Sequence, residues 1–126
     1  MLRRGRDGTS GAMVLYVVRD LLFVSKIRAA AEPLGVEVQA VRDVETLPSV
    51  ALGARLVLLD LALPQAMRAL EVLAATPETA DVPTVGFVGH EHLDVMETAR
   101  ALGCREVMAK GELSTKLGML LRAAQS

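Results

Sequence analysis

The sequence predicts an α/β domain with a five-stranded parallel sheet and helices on both faces. Short apolar runs, typical of buried strands, alternate along the chain with segments whose apolar residues recur at helical spacing. Alternation of this kind produces a parallel sheet with right-handed crossovers. The length of 126 residues and the apolar share of 52% fit one domain with a sizeable core. We expect residues 13–126 to form this domain and residues 1–12, which are basic and rich in glycine, to form a flexible arm or extension.

The first two strand–helix units are indicated by apolar spacing and by residues that begin or end helices. A strand over residues 14–18 precedes a helix over residues 22–34. Gly35 stands where a helix commonly ends in the left-handed conformation. Residues 36–41 alternate between apolar and polar, which is typical of an edge strand with one wet face, and Asp43 suits the N-cap of a short helix. The buried face of the first helix is predicted to be Val24, Ile27, Ala31 and Leu34.

The last three units follow the same pattern. The third strand, residues 55–60, is apolar without alternation, so both of its faces should be covered. Pro64 suits the first turn of a helix that runs to about residue 76. Strands over residues 84–88 and 106–109 flank a helix over residues 91–102, and an amphipathic helix follows. The buried faces of these three helices are predicted to be Ala66, Leu70 and Leu73; Val95, Met96, Ala99 and Leu102; and Leu113, Leu117, Leu120, Leu121 and Ala124.

Charged residues directly follow three of the predicted strands. Asp20, Asp60 and Lys110 all come after apolar runs, and the carboxyl ends of neighbouring parallel strands meet at one edge of the sheet. A carboxylate at the end of a buried strand is costly unless it is paired or used. Two carboxylates and a lysine together suit a divalent cation and a phosphate. This edge is therefore the predicted functional site.

Several sequence segments resemble a known family. They are Val17-Val18-Arg19-Asp20, Asp60 with Pro64, Pro83 before the fourth strand, and the stretch from Gly103 to Lys110. In their order and spacing, over residues 14 to about 124, they resemble a response-regulator receiver domain, similar to the chemotaxis receiver, in an atypical or degenerate form. This resemblance implies a flavodoxin-like, doubly wound sheet with strand order 2-1-3-4-5.

The resemblance also implies roles for individual residues. Asp60 matches the aspartate that accepts a phosphoryl group from a histidine kinase. Asp20, Asp60 and the backbone carbonyl of Ala62 match the ligands of Mg²⁺. Lys110 matches the lysine that contacts the acyl phosphate, and Gly89 stands where a further phosphate contact would lie.

Four positions depart from the family pattern. Arg19 replaces an acid of the metal site, and because Mg²⁺ requires oxygen ligands in tight octahedral geometry, we expect its binding to be weak or absent. The switch hydroxyl aligns with Val88, or with Gly89 one residue later, and the switch aromatic aligns with Val107. Gly111 replaces the usual proline. The chain therefore lacks the standard hydroxyl–aromatic switch.

Other interpretations of these residues stay open from sequence alone. Asp60 could be a strand-end carboxylate paired with Lys110 or with Arg19, and a pair with Arg19 would make a metal-free site. Asp20 could cap the first helix, alone or while it binds a metal. The run His90-Glu91-His92 is a weak metal signal, since two histidines two residues apart are accompanied by no third ligand cluster.

Composition argues against several classes of protein. A formal net charge of −1 and only three aromatic residues argue against nucleic-acid binding. No apolar stretch reaches the length of a membrane span. The single cysteine, Cys104, excludes an internal disulfide and favours the cytoplasm, and it is predicted to be a buried packing residue.

The functional interpretation is a stand-alone atypical receiver in phosphorelay signalling, not an enzyme. It would either accept a phosphoryl group on Asp60 or bind a partner as a phosphorylation-independent pseudo-receiver. The implied partners are a sensor histidine kinase or phosphotransfer protein and a downstream protein. The alternative is a small flavodoxin-like enzyme or cofactor-binding protein. It is disfavoured because Asp20-Leu21-Leu22-Phe23 is unlike the Ser/Thr/Gly-rich loop that binds a flavin phosphate.

Overall fold

The structure is a computed structural model that describes residues 13–125, so the proposed arm at residues 1–12 lies outside the described residues. It contains a parallel sheet of five strands in the order β2-β1-β3-β4-β5. This confirms the strand order implied by the resemblance. The strands are β1 (Met13–Val17), β2 (Glu37–Ala40), β3 (Leu56–Asp60), β4 (Thr84–Val88) and β5 (Glu106–Ala109).

Helices cover both faces of the sheet. They are α1 (Leu21–Ala31), α2 (Leu47–Val50), α3 (Pro64–Ala75), α4 (Leu93–Ala101) and α5 (Lys110–Gln125). Two short 3₁₀ turns, Glu32–Leu34 and Val44–Thr46, follow α1 and precede α2. Helices α1 and α5 pack on one face, and α2, α3 and α4 pack on the other. No helix within residues 13–125 has the length and apolar content needed to cross a bilayer.

The face covered by α1 and α5 is organised around two stacked phenylalanines. The ring of Phe23 lies 4.7 Å from that of Phe87, and both side chains are buried. The sequence prediction placed Val24 on the buried face of α1 and did not include Phe23. This prediction is wrong, because Phe23 is buried and Val24 is only half-buried. The Asp20 side chain accepts backbone N–H bonds from the first turn, so α1 begins at Leu21 and turns Phe23 towards the sheet.

The opposite face is covered mainly by α3. The predicted residues Ala66, Leu70 and Leu73 are all buried against alternate residues of β1 and β3. The backbone of β4 approaches this layer closely at Gly86, where a Cβ atom would lie 2.8 Å from the Cδ1 atom of Leu61. The residue after Asp60 therefore packs directly on the neighbouring strand.

Other local predictions are confirmed or corrected by the structure. Gly35 has the left-handed φ of 67°, and Asp43 Oδ1 accepts the Glu45 N–H at 3.0 Å as an N-cap. The edge strand β2 is wetter than expected, since Val38 is half-buried and the other three residues are exposed. Cys104 is buried as expected. Besides Val24, four residues that were predicted to be buried are only half-buried: Leu34, Val95, Leu102 and Leu120.

Helix α4 begins two residues later than the sequence predicted, and the structure defines the start of α5, for which the sequence indicated no residue. Helix α4 begins at Leu93 rather than at residue 91, because the His92 N–H donates to the Gly89 carbonyl at 3.0 Å and closes a turn first. Helix α5 begins at Lys110, directly after β5, with Gly111 inside its first turn. Lys110 is thus both the residue after the last strand and the first residue of a helix.

Candidate functional site

The register of the sheet brings the predicted charged residues to one edge. Val17 at the end of β1 is level with Leu59, Asp60 at the end of β3 is level with Phe87, and Val88 at the end of β4 is level with Ala109. Asp20, Asp60 and Lys110 follow or close these strand ends. The structure therefore places all three at the carboxyl edge that the sequence indicated.

Asp20 uses both of its carboxylate oxygens. Oδ1 accepts the N–H groups of Leu22 at 3.0 Å and of Phe23 at 3.4 Å, which caps α1. Oδ2 lies 2.6 Å from Nζ of Lys110. The hydrogen bond from Lys110, followed by that from the Phe23 N–H, holds the pKa of Asp20 below its usual value. The N-cap interpretation is confirmed, and the cap is combined with an ion pair.

Lys110 is directed to Asp20 rather than to Asp60. Its ammonium group also lies 5.8 Å from the centre of the Phe23 ring, within the range of a cation–π contact. Within residues 13–125, no hydrogen bond joins Lys110 to Asp60. The sequence interpretation in which Asp60 pairs with Lys110 is therefore corrected to a pair between Asp20 and Lys110.

Asp60 is a half-buried carboxylate with little hydrogen bonding. Among the described residues its carboxylate is hydrogen-bonded by the Ala62 N–H, which donates to Oδ1 at 3.1 Å. Burial raises the pKa of Asp60, the Ala62 N–H and the charge of Lys110 act in the opposite direction, and the charge of Asp20 adds to the rise. This carboxylate is close to both charged neighbours and poorly solvated, and its second oxygen is left for other partners.

Arg19 lies near this group without forming a direct pair. Its charge lowers the pKa of Asp60, so the guanidinium is close enough to act on the carboxylate. In the described part of the chain, however, no carboxylate approaches Arg19 within the 4.0 Å of a salt bridge. The metal-free arrangement, in which Arg19 would replace a cation by contacting Asp60, is not the one the structure shows.

The end of β4 carries apolar and backbone groups. Val88 is buried and packs in the α3 layer. Gly89 follows it, and a Cβ atom placed on Gly89 would lie 2.6 Å from Oε1 of Glu91, so the Glu91 carboxylate covers this glycine. Oε2 of Glu91 lies 3.5 Å from Nε2 of His92. Sequence reasoning missed this placement of Glu91, which brings a negative charge to the position expected to contact phosphate.

Comparisons with known proteins agree on the architecture. No protein-family model matches the sequence, and no curated protein does either. Solved structures do match: a response regulator from Hahella chejuensis is 16% identical over 90% of this chain and 95% of that one, with a TM-score of 0.75. The chain has the receiver-domain fold.

Two other similar structures are a receiver domain with bound magnesium and a phosphorylated response regulator. The receiver domain of the sensor histidine kinase PA1611 from Pseudomonas aeruginosa PAO1, with magnesium in its active-site cleft, is 22% identical. It covers 89% of this chain and 98% of that one, with a TM-score of 0.68. The phosphorylated cyanobacterial phytochrome response regulator RcpA is 19% identical, covers 90% of each chain and has a TM-score of 0.70. At these identities the likeness establishes the fold.

The three groups that the resemblance implies as metal ligands can be compared with the contacts they make in the structure. Asp20, Asp60 and the Ala62 carbonyl supply oxygen donors, which suit Mg²⁺. Within residues 13–125, however, no group of three or more His, Cys, Asp or Glu side chains is arranged to hold a metal, and this includes the His90-Glu91-His92 run. One oxygen of Asp20 is also bonded to Lys110. The donors fit a divalent cation in kind, but the ion would have to compete with Lys110 for Asp20.

Proposed function

We propose that this domain accepts a phosphoryl group on Asp60 and reports the event to a protein partner, as a member of a phosphorelay. The observation that carries the proposal is the Asp60 carboxylate itself. It is half-buried at the end of β3, is held by the Ala62 N–H, and lies beside Asp20 and Lys110. The proposed donor is a phosphohistidine on a sensor kinase or phosphotransfer protein. The P–N bond breaks as the O–P bond to Asp60 forms, and the released imidazole nitrogen takes up a proton.

The neighbours of Asp60 suit this reaction electrostatically. Partial burial leaves the carboxylate less stabilised by water than an exposed one, which favours its attack on phosphorus. The product carries extra negative charge next to Asp20, and Lys110 is the cation that is hydrogen-bonded to Asp20 at this edge. We therefore infer that Lys110 leaves Asp20 and binds the phosphoryl oxygens once they are in place.

A divalent cation, if bound, would be held by Asp20, Asp60 and the Ala62 carbonyl and would neutralise charge on the phosphoryl group. We propose that this binding is weak. Arg19 stands where a further acid would add a ligand, and its positive charge acts on the same Asp60 carboxylate that the cation needs.

An apolar surface beside the site supports a protein as the donor. Leu21 and Leu22 are each 79% exposed, and they directly follow Asp20 in the chain. Large exposed apolar side chains next to a reactive group fit a partner that covers them while it delivers the phosphoryl group. A downstream protein is proposed as the second partner. We place both events in the cytoplasm, since the free buried thiol of Cys104 suits a reducing compartment.

A second candidate function is a pseudo-receiver that binds its partner without phosphorylation. The specific observation in its favour is the end of β4. Val88 has no hydroxyl to contact a phosphoryl group, and the Glu91 carboxylate at Gly89 repels one. In this case the charged cluster would hold the edge of the sheet in shape rather than take part in a reaction.

The two candidates are separated by phosphate incorporation from a small acyl-phosphate donor, with and without Mg²⁺. We expect the wild type to be labelled and Asp60→Asn to remain unlabelled. Asp43→Asn is the control, because Asp43 is an exposed carboxylate at another helix start and asparagine preserves an N-cap. A wild-type protein that takes no label at any Mg²⁺ concentration would overturn phosphoacceptance and favour the pseudo-receiver.

A further inference from the structure

A cleft separate from the Asp20–Lys110 pair lies at the β2 side of the same edge. It has a volume of about 610 Å³ and is bordered by α1, by the end of β2 with the residues after it, and by the start of α3. Its polar lining consists of Arg19, Arg28, Arg42, Tyr16 and Gln65, and no aspartate or glutamate of residues 13–125 lines it. Three arginines without an acid make this cleft positively charged.

The three guanidinium groups have no acidic partner among the described residues. Within the described residues, no carboxylate lies within 4.0 Å of Arg19, Arg28 or Arg42, and Arg28 Nη2 instead donates to the Tyr16 hydroxyl at 3.0 Å. Arg68 shows the contrast, since it donates to both oxygens of Glu45 at 2.6 and 3.0 Å. Guanidinium groups that converge on a cleft without carboxylates raise the local positive potential and match phosphate oxygens geometrically.

The first turn of α3 adds to this positive field. Leu63, the N-cap, and Gln65 both line the cleft. Leu63 offers no side-chain hydrogen bond to the helix, and the first turn contains no acidic residue. Pro64 has no N–H group and the Ala66 N–H donates to the Leu63 carbonyl at 3.0 Å, so the contribution of this twelve-residue helix is the positive end of its dipole, which borders the cleft without a charged or side-chain cap.

The rest of the lining is apolar. It includes Val17, Val18, Leu21, Val24 and Val41. A cleft of several hundred Å³ with an apolar floor and a few convergent polar groups has the character of a small-molecule site. The best-matched ligand combines a multiply charged anionic group with a planar or apolar portion.

We propose that this cleft binds a small phosphorylated ligand of the nucleotide class, with its phosphates against the arginines and its base against the apolar floor. The proposal goes beyond phosphoacceptance at Asp60 and does not depend on it. Arg19 lines the cleft and its charge also acts on Asp60, so a bound anion and the Asp60 carboxylate would both be attracted to the same guanidinium group.

The test is calorimetric titration of the full chain with ATP, GTP, inorganic pyrophosphate and adenosine, without divalent cations. We expect the two nucleotides to bind more tightly than pyrophosphate, and adenosine to give no measurable heat. Arg42→Gln and Arg19→Gln should each weaken ATP binding by about tenfold or more, the usual loss for one charged hydrogen bond. Arg122→Gln is the matched control, because Arg122 is exposed in the last turn of α5, away from the cleft, and should leave affinity unchanged.

A second measurement reports on the site directly. Tyr16 is the single tyrosine of a chain without tryptophan, and it lines the cleft and bonds to Arg28. Pyrophosphate, which does not absorb where tyrosine does, should therefore change tyrosine fluorescence as it draws Arg28 away. Asp60→Asn should bind ATP at least as tightly as the wild type does, since it removes a negative charge that acts on Arg19, and this separates the proposal from phosphoacceptance. No binding of any phosphate compound at about 1 mM, an equal loss in Arg122→Gln, or loss of binding in Asp60→Asn would each overturn it.

Discussion

Two regions of one sheet edge differ in what they retain of the receiver pattern. The proposed acceptor region, called the acceptor region below, consists of Asp20, Asp60 and Lys110 and keeps its charged side chains close together, with Nζ of Lys110 2.6 Å from Oδ2 of Asp20. The β4 region, made of residues 88–91, offers a buried valine and a glycine covered by a carboxylate. The comparison teaches that the charged side chains after β1, β3 and β5 and the groups at the end of β4 can vary separately in this fold. One can be maintained while the other is filled with ordinary packing.

The largest effect on stability is expected at Gly86, two residues before the β4 region, where Leu61, the residue after Asp60, packs on β4. In Gly86→Ala the new methyl group would meet the buried Leu61 side chain at 2.8 Å, and we expect a loss of about 1–3 kcal/mol in the free energy of unfolding from overpacking. Urea unfolding measures it. Gly118→Ala is the control, because its Cβ meets nothing within 4 Å inside α5, and it should gain about 0.5–1 kcal/mol. A Gly86→Ala protein as stable as the wild type would show that Leu61 moves aside freely.

The next largest effect is expected on the affinity of the acceptor region for Mg²⁺. Arg19→Asp removes a positive charge that acts on Asp60 and adds an oxygen ligand, so we expect Mg²⁺ affinity to rise by about tenfold or more in a calorimetric titration. Arg42→Asp changes the charge equally in the neighbouring cleft, and Arg42 is not among the groups that shift the pKa of Asp60. Equal gains in the two variants would indicate a general charge effect and remove the special role of Arg19.

A smaller effect concerns Asp60 and pH. Burial raises the pKa of Asp60 above its ordinary value of 3.8, so its ionised form opposes folding near neutral pH. The folded state binds the proton more tightly, and stability is regained as pH falls through the raised pKa and below 3.8. Asp60→Asn should therefore melt about 1–3 °C higher than wild type at pH 7, and the difference should close in acid. Asp43→Asn is the control for replacing a carboxylate by an amide. A difference in melting temperature between Asp60→Asn and wild type that stays constant with pH would contradict the raised pKa of Asp60.

The smallest effect is expected in the β4 region when Asp60 is modified. A ligand shifts a conformational equilibrium only through contacts that differ between the two states, and Val88, Gly89 and Val107 supply neither hydroxyl nor aromatic ring. An acyl-phosphate mimic should move amide resonances near Asp60 and Lys110 and leave Leu93–Ala101 and Glu106–Ala109 nearly unchanged. Asp60→Asn with the same mimic is the control. Large changes through those two elements would reveal a switch built from other residues.

The sequence predicted the architecture well because local signals agreed with the global pattern. Pro83 and Gly103 lie close to β4 and β5, and the bounds of both strands match the prediction. Asp43 and Gly35 have the capping and left-handed roles that their residue types favour. The helix starts were less predictable, since α4 was expected to begin at residue 91 and begins at Leu93.

The sequence predicted that Asp20, Asp60 and Lys110 lie at one edge of the sheet, but not which of them contact each other. Three charges at strand ends could be placed at one edge from topology alone. Which carboxylate receives Lys110 depends on side-chain positions of residues far apart in the chain, and the structure selects Asp20. The carboxylate of Glu91 at Gly89 arises from the turn closed by the His92 N–H, for which the sequence has no clear signal.

The hydrogen bonds of α5 have a mechanical consequence. Its first residue, Lys110, is bonded to Asp20 at the start of α1, and near its other end Gln125 Nε2 donates to the Leu34 carbonyl just after α1 at 2.6 Å. Midway, Lys26 of α1 donates to Ser114 at 3.2 Å. The two helices are thus joined at their first residues, near the middle of α1 and at their far ends. If Lys110 moves from Asp20 to a phosphoryl group on Asp60, as proposed, the bonds made by Lys26 and Gln125 still hold α5 against α1. A partner docked on these two helices would then detect a change of charge at their first turns rather than a movement of the helices.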